Sequence, residues 1–548
     1  MQKNARRFVL AALTLAPLTF LGLFFIWPTA KLLILGLTGS SSLGDPGGAL
    51  GEMLTRPRTY LTLGRTLEMS LVATVLSVIL GLGGAWTLYG LKIPGRRMWR
   101  ALSAVPFVLP SVVVGVSFQN LLGPGGTLSF LHLAETRAAI ILGMVFFNFS
   151  LVSRIVGNAW VRLDARPAQA AKTLGASPAR AFFSVTLPRL MPAIFAASSL
   201  VFLYCLTSYG LVRVLGGVKV TTLEVEIYLE TASYLNLPGA AVLSIMQIII
   251  VAAALGINSV ARSRFERAHV LRELPLRLPN RSDIPALILT LLGLMLVIIP
   301  LASLVGNSLR FEGKWSLQNY RSLAQPGLVA QLPDTVWAAL VYSLQVALIS
   351  TTISLVVGLC VATVVSRRTR GKTLLRRAQE VYDAVFSSPQ GISAVTVGFG
   401  MLITLQAPPL SMQANAFFLA AAQSVVAIPL VLRSVLPTLR AVDSRLLDAA
   451  ATLGASPWRV YATIELPLLL RAAGVGAGFA FAISLGEFGA TSFLARPLTP
   501  TLPVAIFALS SRPAAAAQGA AVAASVILAA TCALAMAGAE AFGQKRGH

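Results

Sequence analysis

The sequence predicts an all-α integral membrane protein with about twelve transmembrane helices, arranged as two homologous six-helix halves. Three observations predict this class. Apolar runs of about twenty residues recur along the whole chain, basic residues gather between alternate runs, and one long phrase returns after half the chain. Of 548 residues, 56% are hydrophobic and only 12% charged, with mean hydropathy +0.77. Soluble domains carry roughly 25% charged residues.

The runs lie near 8–27, 66–90, 101–123, 138–160, 190–215, 239–262, 284–308, 338–365, 381–406, 415–436, 470–495 and 514–540. Each suits a helix crossing a hydrocarbon core of about 30 Å. A strand barrel is excluded because stretches such as Leu71 to Leu80 show no alternation of polarity.

The formal net charge of +24 is explained by topology rather than by nucleic acid. Clusters fall at Lys3/Arg6/Arg7, Lys92/Arg96/Arg97/Arg100, Arg262 to Arg281, Arg367 to Arg377 and Lys545/Arg546, all on one side if twelve helices alternate. The positive-inside rule makes that side cytoplasmic and puts both termini there. The N-terminus resembles a secretory signal, but its apolar stretch is long and lacks a clear cleavage site, so an uncleaved first helix is expected. Cys205, Cys360 and Cys532 all fall in predicted spans, far apart in sequence, and are read as free buried thiols.

The repeat has a spacing of 279 residues. Ala171-Lys-Thr-Leu-Gly-Ala-Ser-Pro178 returns as Ala450-Ala-Thr-Leu-Gly-Ala-Ser-Pro457, and the register holds from Arg154/Arg433 to Ile227/Ile506 without a gap. Upstream, Ser77 and Gly81 match Ser354 and Gly358 at an offset of 277. The expected organisation is therefore a first half at 1–262 with its repeat core near 60–262, a basic cytoplasmic linker at 263–283, and a second half at 284–548 with its core near 337–540. Six spans per half is an even number, so both copies of the phrase face the cytoplasm.

Each copy belongs to a longer pattern. Gln169-Ala170-Ala171, Gly175, Val185 and Leu187-Pro188 correspond to Asp448-Ala449-Ala450, Gly454, Ile464 and Leu466-Pro467. Alanines give a helix a low-profile face, the glycine permits a left-handed turn, and Ser-Pro starts the next helix. Pro188 and Pro467 are expected to start the following span likewise. The bland reading is an interfacial helix-turn-helix that contacts nothing.

This pattern resembles the cytoplasmic signature of the ABC importer permeases: Glu-Ala-Ala, three residues, Gly, nine residues, Ile, one residue, Leu-Pro. The departures are Gln169 and Asp448 for Glu and Val185 for Ile. The resemblance implies the type I importer permease fold in a bacterial inner membrane. It also implies that 169–188 and 448–467 are coupling helices, docking on two copies of an ATP-binding cassette ATPase subunit. Gln169, Ala170, Ala171, Gly175, Leu187 and Pro188 carry that role in the first copy, and Asp448, Ala449, Ala450, Gly454, Leu466 and Pro467 in the second. An extracytoplasmic solute-binding protein would deliver the solute.

Within the chain itself no cofactor site is expected. Gly371-Lys372-Thr373 has Ser366 where a phosphate-binding loop needs glycine, so ATP is expected to be used by the partner. His132, His269 and His548 are scattered and show no metal-ligand spacing, so an enzyme is not expected. Gly474 and Gly478 read as helix packing.

Solute clues are fewer. Glu487, in or near the eleventh span, is either a cation-attracting carboxylate or a structural hydrogen-bonded one. Tyr209, Tyr228 and Phe488 either stack on an aromatic cation or belong to an interfacial belt. Glu224, Glu226 and Glu230 are expected on a solvated helix face, with contact to a binding protein as the alternative. Gly486-Glu-Phe-Gly489 paired with Thr221-Thr-Leu-Glu-Val-Glu-Ile-Tyr228 looks most like the fused thiamine and ferric-iron importer permeases; spermidine, sulfate and molybdate permeases share the fold. An ion-gradient carrier is the reading outside this class. It would need buried ionisable relays, whereas this chain has doubled docking segments and almost no charge in its spans. A membrane scaffold or receptor is the third, separable by whether the chain recruits an ATPase.

Overall fold

The computed structural model describes residues 13–40, 48–164, 166–217, 219–265, 276–329, 332, 334–366, 373–405, 415–441, 446, 449–450, 452–495 and 499–544. Among these described residues, ten helices are long and apolar enough to cross a membrane. Two bent helix pairs raise the number to twelve if each pair is one span.

Those pairs correct the expected continuous spans at 101–123 and 381–406. Arg96–Phe107 meets Ser111–Leu122 at 103°, and Arg377–Gly391 meets Ala394–Leu405 at 98°. In the first bend Pro106 opens a 3-10 turn and Pro110 is extended (φ −60°, ψ 141°), which stops the ladder of Leu109 and its neighbours. In the second, Pro389 opens the turn and Ile392 is extended (ψ 139°), after which the Ser393 hydroxyl accepts from the amide of Thr396. The piece before each bend carries the polar residues. Each twelve-residue piece after it rises about 18 Å, short of a full crossing on its own.

Two further expected spans, 190–215 and 470–495, also end early. Helix Phe182–Leu206 stops before Thr207 and Leu466–Gly486 before Glu487, and short helices Gly210–Leu215 and Gly489–Leu494 follow. Thr207-Ser-Tyr-Gly210 and Gly486-Glu487 are locally polar, but a window of about twenty residues averages them into the apolar run.

The contacts divide the chain into two compact units. The first comprises Gly51–Leu229 and Ile245–Ser316. Helix Pro57–Gly90 packs on Arg137–Val161 through small residues. A Cβ on Gly81 would collide with Val152, and one on Gly84 with Ser153, whose hydroxyl reaches the Gly81 carbonyl (3.3 Å). Helix Ile284–Ser308 belongs to this unit although it follows the linker. Gly83 meets Leu289, and Gly293 meets Phe149.

The second unit comprises Met1–Leu50, Glu230–Ser244 and Leu317–His548. Here Gly358 faces Val431, the same pair one repeat later, while Gly476 packs on Ser434 and Gly478 on Ala539. Helix Leu13–Thr38 lies in this unit, with Gly400 against the Pro28 carbonyl. A hydrogen bond is repeated as well. Thr66 Oγ1 accepts from Leu223 N in the first unit (2.9 Å) and Ser343 Oγ from Leu502 N in the second (2.7 Å), so the two copies share tertiary detail as well as sequence.

Candidate functional site

The two doubled phrases fold alike. Helix Arg166–Thr173 is closed by a Schellman turn. The amide of Ala176 donates to the Ala171 carbonyl (3.0 Å), and Gly175 sits at φ +85°. In the second copy Ala455 donates to Ala450 (3.0 Å) and Gly454 sits at φ +78°. Nothing lies within 4 Å of the place a Cβ would take on either glycine, so conformation alone requires them. Ser177 and Ser456 then accept from the amides of Arg180 and Arg459 (3.3 Å each), capping the short helices Pro178–Ala181 and Pro457–Val460.

Gln169, Ala170 and Ala449 are exposed, and Ala171 and Ala450 half-buried; Asp448 lies outside the described residues. Leu174 and Leu453, just before the glycines, are each 87% exposed. Sequence reasoning missed these two leucines, although Thr-Leu-Gly stands in both copies of the phrase. Each is a large apolar side chain left exposed at the tip of a capped turn, and the arrangement occurs twice.

Beyond the turns, Pro188 and Pro467 stand second in the helices that begin at Leu187 and Leu466, as expected, but those helices do not begin at free ends. A five-residue π-turn, Phe182–Thr186 or Tyr461–Glu465, runs directly into the helix that begins at Leu187 or Leu466. The wider turn absorbs the missing proline N–H and its ring. The first π-turn is anchored by aromatic rings: Phe182 lies edge-on to Trp86 (5.3 Å) and stacks on Trp160 (6.0 Å). Trp86 in turn donates its indole N–H to Asp283 (2.8 Å), at the foot of helix 284–308.

At the opposite ends of the 182–206 and 466–486 helices the breaks gather the solute-path candidates. Glu487 is 8% exposed, and its carboxylate accepts from the amides of Ala490 (2.8 Å) and Thr491 (2.9 Å) and from the Thr491 hydroxyl (2.5 Å). It caps the helix 489–494, whose first amides are the donors. Tyr209 is buried against half-buried Tyr228 (centroids 5.8 Å), and Phe488 is buried against Phe507 (5.5 Å), the corresponding pair one repeat later. Burial removes Tyr209 and Phe488 from a lipid-facing belt. The Arg213 guanidinium lies 5.4 Å from the Tyr228 ring centroid.

The solvated face expected for Glu224, Glu226 and Glu230 is overturned. The three are 0%, 3% and 4% exposed. Gln247 Nε2 donates to Glu224 (3.0 Å), Arg58 Nε pairs with Glu226 (2.7 Å), and Asn236 Nδ2 donates to Glu230 (2.9 Å). A carboxylate leaves water only with such partners. Arg58 is 168 residues from Glu226, which sequence spacing does not reveal.

The family model of the "binding-protein-dependent transport system inner membrane component" matches residues 73–267 and again 354–548. The chain therefore belongs to that family: it is the permease subunit of an ABC importer, with two permease domains fused in one multi-pass inner-membrane polypeptide. Among its relatives, the thiamine transport system permease protein ThiP of Escherichia coli K12 is 27% identical over 454 residues, covering 80% of this chain and 81% of that protein. ThiP of Brucella abortus (strain 2308) is 25% identical over 463 residues, 80% of each. The sulfate transport system permease protein CysT of E. coli K12 is 30% identical over 229 residues, covering 39% of this chain and 81% of CysT.

Proposed function

We propose that this chain imports thiamine or a closely related flat organic cation, delivered by an extracytoplasmic binding protein and driven by two ATP-binding subunits docked on 169–188 and 448–467. The observation that carries the substrate reading is the extent of the likeness. The thiamine permeases align with four-fifths of the chain across both fused domains, whereas the sulfate permease aligns with 39%. Calorimetry of the cognate binding protein is expected to give tight thiamine binding, and cells lacking this chain to lose uptake of labelled thiamine but keep that of ferric iron. A binding protein that ignores thiamine and holds iron through tyrosines overturns the substrate and leaves the importer intact.

The docking reading rests on Leu174 and Leu453. ATP is used by the partner, and the chain binds no cofactor of its own. Both segments reach the basic, cytoplasmic side only if each bent pair counts as one crossing; with ten or with twelve crossings the two termini share one side, which the positive-inside rule makes cytoplasmic. Burying one leucine is worth about 1.5–3 kcal/mol, so Leu174→Asp with Leu453→Asp should weaken co-purification of the ATP-binding subunit at least tenfold. Unchanged co-purification and ATPase stimulation would assign the turns no docking role.

A further inference from the structure

Within the first unit a cavity of about 530 Å³ opens between the cytoplasmic ends of three helices, in the size range of about 300–1,000 Å³ typical of ligand sites. Its walls are almost wholly apolar. Leu291, Met295 and Ile299, spaced four residues apart along helix 284–308, form one rim and are each close to half exposed. Leu88 and Trp99 form the opposite side. The two lining hydroxyls do not open into it: Thr290 Oγ1 donates to the Ala286 carbonyl (2.7 Å) and Thr87 Oγ1 is fully buried.

Basic residues flank the lining residues Ile93 and Trp99. Lys92 precedes the lining residue Ile93, and Arg96 stands one turn before Trp99 on the same face of helix 96–107, with Arg97 beside it. Lys92 and Arg97 are exposed, Arg96 is half-buried, and none of the three has an ion pair among the described residues. Two neighbouring cations are already engaged: Arg100 lies over the Tyr89 ring (4.0 Å) and Arg277 pairs with Asp283 (2.5 Å).

We propose that this groove is a specific site for an anionic phospholipid. One acyl chain lies along Leu291, Met295 and Ile299, and the phosphate rests among Lys92, Arg96 and Arg97. A lipid supplies what the groove demands in one molecule: a long apolar body and a negative charge at the membrane surface. A soluble phosphate compound would leave the apolar wall uncovered, and a neutral lipid would leave the cations unmatched.

The full chain is reconstituted in vesicles containing a minor fraction of brominated phosphatidylglycerol or, at the same fraction, brominated phosphatidylcholine. The fluorescence difference between wild type and Trp99→Phe isolates the indole in the groove. Brominated phosphatidylglycerol should quench it at least about fivefold more effectively, a contrast lost in high salt and in Lys92→Gln/Arg96→Gln/Arg97→Gln. Native mass spectrometry, which needs no tryptophan change, should show a retained phosphatidylglycerol adduct on wild type and none on the triple variant. Equal quenching by both lipids means unselective annular lipid and overturns the proposal, as does absence of quenching.

Discussion

Gly175→Val and Gly454→Val should each yield a chain that inserts normally but drives transport at least tenfold more slowly, and the double variant should be inactive. A valine Cβ meets no atom at either position, so the damage is purely conformational: φ of +85° or +78° is a region that a β-branched residue avoids at a cost of about 1–3 kcal/mol. The chain relieves that strain by opening the Schellman turn, which moves Leu174 or Leu453 off the tip. Transport by reconstituted vesicles with the ATP-binding subunit, set beside membrane abundance, is the measurement. Wild-type transport in both single variants would show that the turn geometry does not matter to coupling.

Glu487→Ala should be the more damaging change to the fold. The substitution leaves two amides and one hydroxyl buried without an acceptor, at about 1–3 kcal/mol each, and detaches helix 489–494 from the end of helix 466–486. A drop of several degrees in the Tm of the detergent-solubilised protein is expected. Glu487→Gln, which keeps one acceptor oxygen, should fall between that variant and wild type. If Glu487→Ala instead retains full thermal stability and loses only uptake, the carboxylate serves the solute and not the helix.

Legibility from sequence followed the range of the interactions. Most spans were readable because hydropathy is a local sum, and the coupling turns were readable because a left-handed glycine and a serine cap act within a few residues. The bends at Pro106/Pro110 and Pro389 were missed because a twenty-residue window averages over two or three prolines in an apolar run. The buried glutamates were missed for the opposite reason. Glu224 and Glu226 look like surface residues until Gln247 and Arg58 arrive from other helices. Tyr209 and Phe488 could be picked out as aromatic, but their ring partners, Tyr228 and Phe507, become meaningful only once the 207–209 and 487–488 breaks fold the chain back.

The placement of helix 13–38 in the second unit, and of 284–308 in the first, bears on how the polypeptide is made. The ribosome releases the opening helix long before residues 394–405, its packing partner, exist. At roughly 5–20 residues per second that helix waits on the order of twenty seconds to a minute in the bilayer. Neither unit can be finished from an uninterrupted stretch of nascent chain, because the first is completed only after residue 308 has emerged and the second draws on both extremities. Fusion of the halves thus has a biosynthetic benefit. It keeps the early helix tethered near a site that does not yet exist, where two separate polypeptides would have to find each other by lateral diffusion.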